Sequence, residues 1–208
     1  MNKSAVRVRA VVFDVGNVLY DWDIRHLYRK LIADPDELEW FVGNVVTLAW
    51  HFQHDEGRDL ADTSAELIAQ FPQHRELIEL YGPRWLETVS GPVPGMIALV
   101  EELATANVPL FAITNFSHEF WPPFVKTAPV FRHFRDIVVS GDERLVKPHR
   151  PIFDLAMQRF DLKPGEALFV DDRPENVAGG EAVGLIGHLF DGEPTLRARL
   201  ASLGLLGL

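Results

Sequence analysis

Six side chains able to do polar chemistry stand at or just beyond the ends of short apolar runs. Asp14 follows Ala10-Val11-Val12-Phe13, and Thr114-Asn115 closes the run Pro109-Leu110-Phe111-Ala112-Ile113. Lys147-Pro148 comes shortly after Asp136-Ile137-Val138-Val139-Ser140, and Asp171-Asp172 ends Ala167-Leu168-Phe169-Val170. Two unit charges about 4 Å apart repel by about 4 kcal/mol at an effective dielectric near 20. Asp14, Asp171 and Asp172 therefore cannot share one edge in ionised form without a compensating cation. An oxygen-only donor set suits Mg²⁺, which keeps waters and pairs with phosphate oxygens. With Mg²⁺ and Lys147 offsetting the three carboxylates, such a site accepts a phosphate dianion. The Thr114 hydroxyl, the Asn115 backbone N–H and the Lys147 ammonium are donors suited to its non-bridging oxygens. Asp14 is then placed to act both as metal ligand and as nucleophile, giving an aspartyl-phosphate.

The argument needs those residues on one edge, and the hydropathy pattern supplies the means. Residues 6–13, 109–114, 136–140, 167–170 and 184–190 read as strands. Between them, Met96, Leu99, Val100 and Leu103 fall at helical spacing, as do Ile152, Leu155, Ala156 and Phe160. Strands alternating with helices predict an α/β fold, a Rossmann-like parallel sheet covered on both faces. Ligands of such sheets bind beyond the carboxyl ends of the strands, where the six side chains lie.

Residues 20–91 break the alternation. No strand is evident there, only helical patterns over about residues 24–32, 35–50, 60–71 and 75–89. The expected organisation is a Rossmann-like core of residues 1–20 and 91–208 with a helical insert of residues 21–90. Gly91, Pro92, Pro94 and Gly95 mark the return to the core.

Taken in order, Phe13-Asp14-Val15-Gly16-Asn17-Val18-Leu19, Ile113-Thr114-Asn115, Val146-Lys147-Pro148 and Phe169-Val170-Asp171-Asp172 resemble the four motifs of the haloacid dehalogenase-like hydrolase superfamily. The helical insert after the first motif resembles that family's C1-type cap. The stretches FDVGNVLYDWD, QHDEGR, FWP and FVDDRPENV look most like its bacterial α-D-glucose-1-phosphate phosphatase branch. The resemblance implies that Asp14 is the nucleophile and a Mg²⁺ ligand, with the Gly16 carbonyl as a second ligand. It implies that Thr114 and Asn115 bind the phosphoryl group and that Lys147 bridges it to the nucleophile. Asp172 takes the principal acidic metal position of the fourth motif, Asp171 the accessory one, and Asn176 supports them. The cap would close over the site and select the leaving group.

One position departs from the pattern. Most phosphatases of the superfamily carry a general acid two residues after the nucleophile, and here that residue is Gly16. Asp21, Asp23, His51 and His54 are the sequence's candidate substitutes. His51 and His54 stand at i, i+3, but no carboxylate-rich helical pattern supports them as a metal pair. Arg58 reads as a solvated cap residue, and Phe120-Trp121 as packing between cap and core.

The expected function is Mg²⁺-dependent hydrolysis of a small phosphorylated metabolite, with a sugar phosphate as the candidate substrate. Two other readings compete. A 2-haloacid dehalogenase of the same fold would use Asp14 against carbon, and a phosphometabolite-binding module would turn nothing over. Thirty acidic against twenty basic residues leave a net charge of −10, which argues against nucleic-acid and anionic-membrane partners. The absence of cysteine excludes disulfides, thiolate metal sites and a Cys nucleophile. No apolar run approaches the length of a membrane span or a signal-peptide core, so the cytoplasm is the expected compartment.

Overall fold

The computed structural model describes residues 7–207. The first strand, β1 (Ala10–Phe13), is followed by a short antiparallel ribbon of β2 (Tyr20–Trp22) and β3 (Val89–Pro92). Between the two ribbon strands run five helices, α1 (Ile24–Tyr28), α2 (Pro35–Asn44), α3 (Leu48–Asp55), α4 (Leu60–Gln70) and α5 (Arg75–Glu79). The chain then alternates: α6 (Met96–Thr105), β4 (Leu110–Thr114), α7 (Trp121–Thr127), β5 (Asp136–Val139), α8 (Ser140–Glu143), α9 (Arg150–Arg159). It ends with β6 (Ala167–Asp171), α10 (Pro174–Glu181), β7 (Ile186–Leu189) and α11 (Glu193–Ser202).

Five strands form one all-parallel sheet in the order β5-β4-β1-β6-β7. β1, β4 and β6 are buried on both faces, which is why they read as unbroken apolar runs rather than alternating ones. Their side chains split by parity. Val11, Phe13, Leu168 and Val170 join the core that α6, α11 and the inserted helices share, whereas Ala10, Val12, Ala167 and Phe169 pack on Ile152, Phe153 and Ala156 of α9. Among the described residues no helix is long and apolar enough to cross a membrane.

The strands fall where the pattern predicts, with ends trimmed by one or two residues in β4, β5 and β7 and by more at the start of β1. β1 begins at Ala10 because Arg9 and Ala10 both donate backbone N–H groups to Glu166 O, at 2.7 and 3.2 Å, while the exposed Arg9 guanidinium pairs with the Glu166 carboxylate. Val6, the first residue of the expected strand, lies outside the described residues.

Three expectations for residues 20–91 are corrected. The segment is not strand-free, since β2 and β3 pair as Tyr20↔Pro92, Asp21↔Gly91 and Trp22↔Val89, with an irregularity between Asp21 and Trp22. Strands this short show no period-2 signal, and their partners are some seventy residues apart. The helix expected over residues 35–50 is two helices. Pro35 and the Asp34 cap, which accepts from Asp36 N and Glu37 N at 2.9 Å, start the first. The Thr47 hydroxyl accepts from Trp50 N at 3.0 Å and starts the second, as a threonine N-cap does. The helix expected over residues 75–89 ends with α5 at Glu79, and a separate 3₁₀ turn, Trp85–Thr88, leads into β3.

Candidate functional site

β1, β4 and β6 deliver Asp14, Thr114 and Asp171 at adjacent carboxyl ends, because the sheet order sets β1 between the other two. Lys147 arrives from the loop before α9 and lies between two of the carboxylates. Its ammonium is 2.9 Å from Asp14 Oδ1 and 2.7 Å from Asp171 Oδ2, and its side chain has no exposed surface. One carboxylate oxygen from each of Asp14, Asp171 and Asp172 can be chosen so that all three lie within 4.8 Å of one another.

Electrostatics follow from this crowding. Burial pushes the Asp14 carboxyl up to about 7, with repulsion from Asp171 and Asp172 adding to it and Lys147 opposing it. Burial and then Asp171 raise Asp172. Burial works against the Lys147 charge, but Asp14 and Asp171 more than offset it, and its titration lies above the ordinary lysine range. The cluster is short of positive charge.

That shortage, together with an oxygen-only donor set, fits a hard divalent cation. The oxygens are not equally free. Asp171 Oδ1 accepts from Arg173 N at 2.9 Å and Asn176 Nδ2 at 3.0 Å, while Asp171 Oδ2 accepts from Lys147 Nζ and, at 3.2 Å, from Asn176 Nδ2. Asp171 is thus committed to holding Lys147 and the turn into α10. Asp14, through the oxygen that Lys147 does not take, and Asp172 have capacity left for a metal.

The cluster opens into a cavity of about 340 Å³. Asp14, Gly16, Asn115, Lys147 and Asp172 line it, while Thr114 and Asp171 are buried behind its wall. Asn115 turns its side chain away from the role expected of its neighbourhood: its amide clasps the Lys147 backbone, accepting from Lys147 N at 2.9 Å and donating to Lys147 O at 3.0 Å.

Of the candidate acids, His51 alone lines the cavity. Its Nδ1 is tied to the Tyr81 hydroxyl at 2.7 Å, and burial, then His54, lowers its titration to about 3. His54 is buried against Thr63 Oγ1 at 2.7 Å. Asp21 bonds to Ser90 and His26, and Asp23 caps α1. Arg58 pairs with Glu66 and Gln53 on the surface, and Phe120 stacks on Trp85 at 4.8 Å between insert and core.

Reasoning from the motifs missed one residue. Asp55 lines the same cavity, and its buried Oδ1 has no hydrogen-bond partner. Burial, then Asp14, raises its carboxyl well above the ordinary range. The signal was available, since Leu48, His51, Phe52 and Asp55 fall at i, i+3, i+4 and i+7 along α3 and all four line the cavity. The helix is fastened to the core by the Ser140 hydroxyl, which donates to Asp55 O at 2.6 Å.

A parallel α/β sheet with an acidic, lysine-bridged cluster at its carboxyl edge is the core of a Rossmann-like enzyme. The family described as haloacid dehalogenase-like hydrolase matches residues 8–184, and the chain belongs to that family of hydrolases. It is 27% identical over 188 residues to a phosphoglycolate phosphatase of Yersinia pseudotuberculosis, covering 85% of this chain and 78% of the relative. It is 25% identical over 190 residues to a sesquiterpene phosphatase of Aspergillus oryzae, covering 88% and 90%. Among solved structures, a HAD-like family hydrolase from Porphyromonas gingivalis superposes with a TM-score of 0.70 at 20% identity, over 93% of this chain and 98% of that one. The finer likeness to α-D-glucose-1-phosphate phosphatases rests on the short motifs alone.

Proposed function

We propose that this chain is a Mg²⁺-dependent phosphatase that hydrolyses a small phosphorylated metabolite through an aspartyl-phosphate on Asp14. The observation that carries the reading is the Asp14–Lys147–Asp171 bridge beside Asp172, at the floor of a cavity. The phosphatase names of two relatives that cover most of their own length support it.

In this reading an Asp14 oxygen attacks phosphorus as the bond from phosphorus to the ester oxygen breaks, and the departing oxygen takes a proton from solvent water to leave as the alcohol. Water then attacks the aspartyl-phosphate, returning the Asp14 carboxylate and releasing inorganic phosphate. Lys147 orients Asp14 and neutralises charge that gathers on the non-bridging oxygens. Asp14, Asp172 and the Gly16 carbonyl would hold Mg²⁺, which supplies Lewis-acid stabilisation of the phosphoryl oxygens. Thr114 stands at the strand end next to the Asn115 backbone N–H, and both are assigned to the phosphoryl group. Residues 21–90 act as a cap that supplies the leaving-group side of the cavity.

The test is phosphate release from a panel of phosphomonoesters with Mg²⁺ and with EDTA, alongside halide release from 2-haloacids. Turnover that depends on Mg²⁺ and disappears in Asp14→Asn is expected. Halide release would favour the dehalogenase, and ligand binding without turnover the binding module.

A further inference from the structure

The two halves of the cavity differ in chemistry. Its floor is polar, built from the sheet-edge residues that meet a phosphoryl group. Its roof is apolar: Trp22, Leu48, Phe52, Trp85, Phe116 and Phe124 line it. We propose that the ester hydrolysed here carries a hydrocarbon leaving group, aromatic or branched aliphatic, rather than a polyol or a carboxylate. This rests on the phosphatase reading and names its substrate class.

The polar side chains among the lining residues show why. A buried sugar needs a partner for each hydroxyl, or its polar groups lose water without compensation. From the inserted helices the lining receives two such side chains, His51 and Asp55. His51 Nδ1 is tied to the Tyr81 hydroxyl and the ring face lies 4.6 Å from the Trp22 ring, so the ring offers a ligand only Nε2, 3.7 Å from Asp55 Oδ1. His51 Nε2 and Asp55 together cannot satisfy four or five hydroxyls. A leaving-group carboxylate fares worse, because it would need a cation in the roof. The cations of the lining are Lys147, held between Asp14 and Asp171, and Arg173, whose guanidinium pairs with Glu175. Neither comes from the roof.

A hydrocarbon asks for none of these partners. Aromatic and aliphatic walls remove it from water, and rings on rings add edge and stacking contacts. Leu48 is 60% exposed, an apolar side chain standing at the cavity's edge where a polar one would cost nothing in folding. At about 30 Å³ for each water-sized volume, the cavity holds roughly a phosphoryl group and one ring or short branched chain.

The test compares kcat/KM for 2-phenylethyl phosphate and citronellyl phosphate with that for glucose 6-phosphate and phosphoglycolate, in Mg²⁺. All are esters of unactivated primary alcohols, and acetyl phosphate serves as the reference with almost no leaving group to bind. The hydrocarbon esters are expected to lead by about 30-fold or more, the better of the two reporting whether a ring or a branched chain fits. Equal or faster turnover of glucose 6-phosphate or phosphoglycolate overturns the inference and leaves the phosphatase reading standing. No phosphate from any of the five overturns both. Phe52→Asn, and Leu48→Asn as the variant safest for folding, should lower the ratio of the best hydrocarbon ester to acetyl phosphate by about tenfold, chiefly through KM. A ratio unchanged in both variants contradicts the assigned roof.

Discussion

Asn115 and Lys147 are joined by two reciprocal hydrogen bonds, Lys147 N to Asn115 Oδ1 at 2.9 Å and Asn115 Nδ2 to Lys147 O at 3.0 Å. The pair fixes the loop before α9 against the end of β4. It thereby sets the point from which the Lys147 side chain reaches Asp14 and Asp171. The Asn115 side chain is a positioning group, and its own backbone N–H remains available to the phosphoryl group.

Asn115→Ala should therefore lower kcat by about 100-fold with a smaller change in KM, the usual effect of a misplacement near 1 Å. Asn115→Asp keeps the acceptor for Lys147 N and loses the donor to Lys147 O, so it should fall between wild type and alanine. Steady-state kinetics on one ester decide this, and an alanine variant at full kcat would show that the clasp does not position Lys147.

Removing the ammonium should cost more than activity. Lys147→Met leaves Asp14 and Asp171 facing each other without a cation, and breaking a buried pair this way costs about 3–5 kcal/mol. The sign of the pH dependence follows from Asp14, whose titration is already raised to about 7. Below that value the native state binds the proton more readily than the unfolded chain, so stability falls as pH rises from about 4 to 7. Loss of Lys147 raises Asp14 further, and urea titrations of Lys147→Met should show a larger deficit at pH 8 than at pH 5. An equal deficit at both would mean that Asp14 does not feel the lysine.

Metal should act on stability in the opposite direction. Mg²⁺ at about 100 times its Kd adds about 2.7 kcal/mol to the native state, a rise in Tm of roughly 5–10 °C for a domain of this size. Asp172→Asn relieves repulsion in the metal-free protein and removes a ligand. Its Tm without Mg²⁺ should equal or exceed that of wild type, and its response to Mg²⁺ should shrink. A full response in the variant would take Asp172 out of the metal site.

The buried histidines of the insert give a second pH signature. Burial lowers His51 to about 3 and His54 to about 4, so both are neutral in the native state while the unfolded chain takes up protons below about 6.5. Their contribution is complete above that value and is lost as pH falls toward 4. For His54, which is wholly buried, the loss is on the order of 3 kcal/mol. His54→Gln should be less stable than wild type at pH 7 and should lose less on acidification to pH 4. Parallel stability curves for the two proteins between those values would count against a neutral buried His54.

Much of the site could be read from the sequence because three of the four motifs end apolar runs, and a doubly covered parallel sheet sends such ends to one edge. Asp14, Asn115 and Asp172 need only that rule to meet, whereas Lys147 reaches them from the loop between α8 and α9. The β2–β3 ribbon was not legible, since three residues cannot show a period and Tyr20 finds Pro92 only through the fold. The division of labour within the Asp171-Asp172 pair came from the family resemblance alone, not from the residue pattern. It depends on Asn176 and Arg173 N saturating Asp171, which is geometry rather than composition. The roof joins residues from β2, α3, the turn Trp85–Thr88, the loop after β4 and α7, and no local window contains them together. The α3 face, Leu48 to Asp55 at helical spacing, carried a local signal that reasoning from the motifs left unread.

Gly16 offers the most direct test of how the reaction proceeds without the usual neighbouring acid. It lines the cavity two residues after Asp14, a Cβ built there meets no atom within 4 Å, and its backbone is outside the left-handed region that demands glycine. Gly16→Asp is therefore free of steric and conformational penalty, and the Gly16 carbonyl assigned to the metal is retained. A proton donor contributes most where the leaving alcohol is a poor one, with a typical effect of about 10²–10⁴. The variant should raise kcat on alkyl phosphates relative to acetyl phosphate by at least about tenfold, and wild type should show a steep dependence of rate on leaving-group pKa that flattens in the variant. The added carboxylate joins Asp14 and Asp172, so the metal-free variant should also be less stable at pH 8 and recover more on adding Mg²⁺. A flat dependence already in wild type would mean that another group protonates the leaving oxygen, and Asp55, buried in the same cavity with an unpaired oxygen, is then the residue to substitute. If Gly16→Asp folds, binds Mg²⁺ and leaves the alkyl-to-acyl ratio unchanged, the leaving oxygen does not pass near residue 16, and the assignment of floor and roof to phosphoryl and leaving group fails with it.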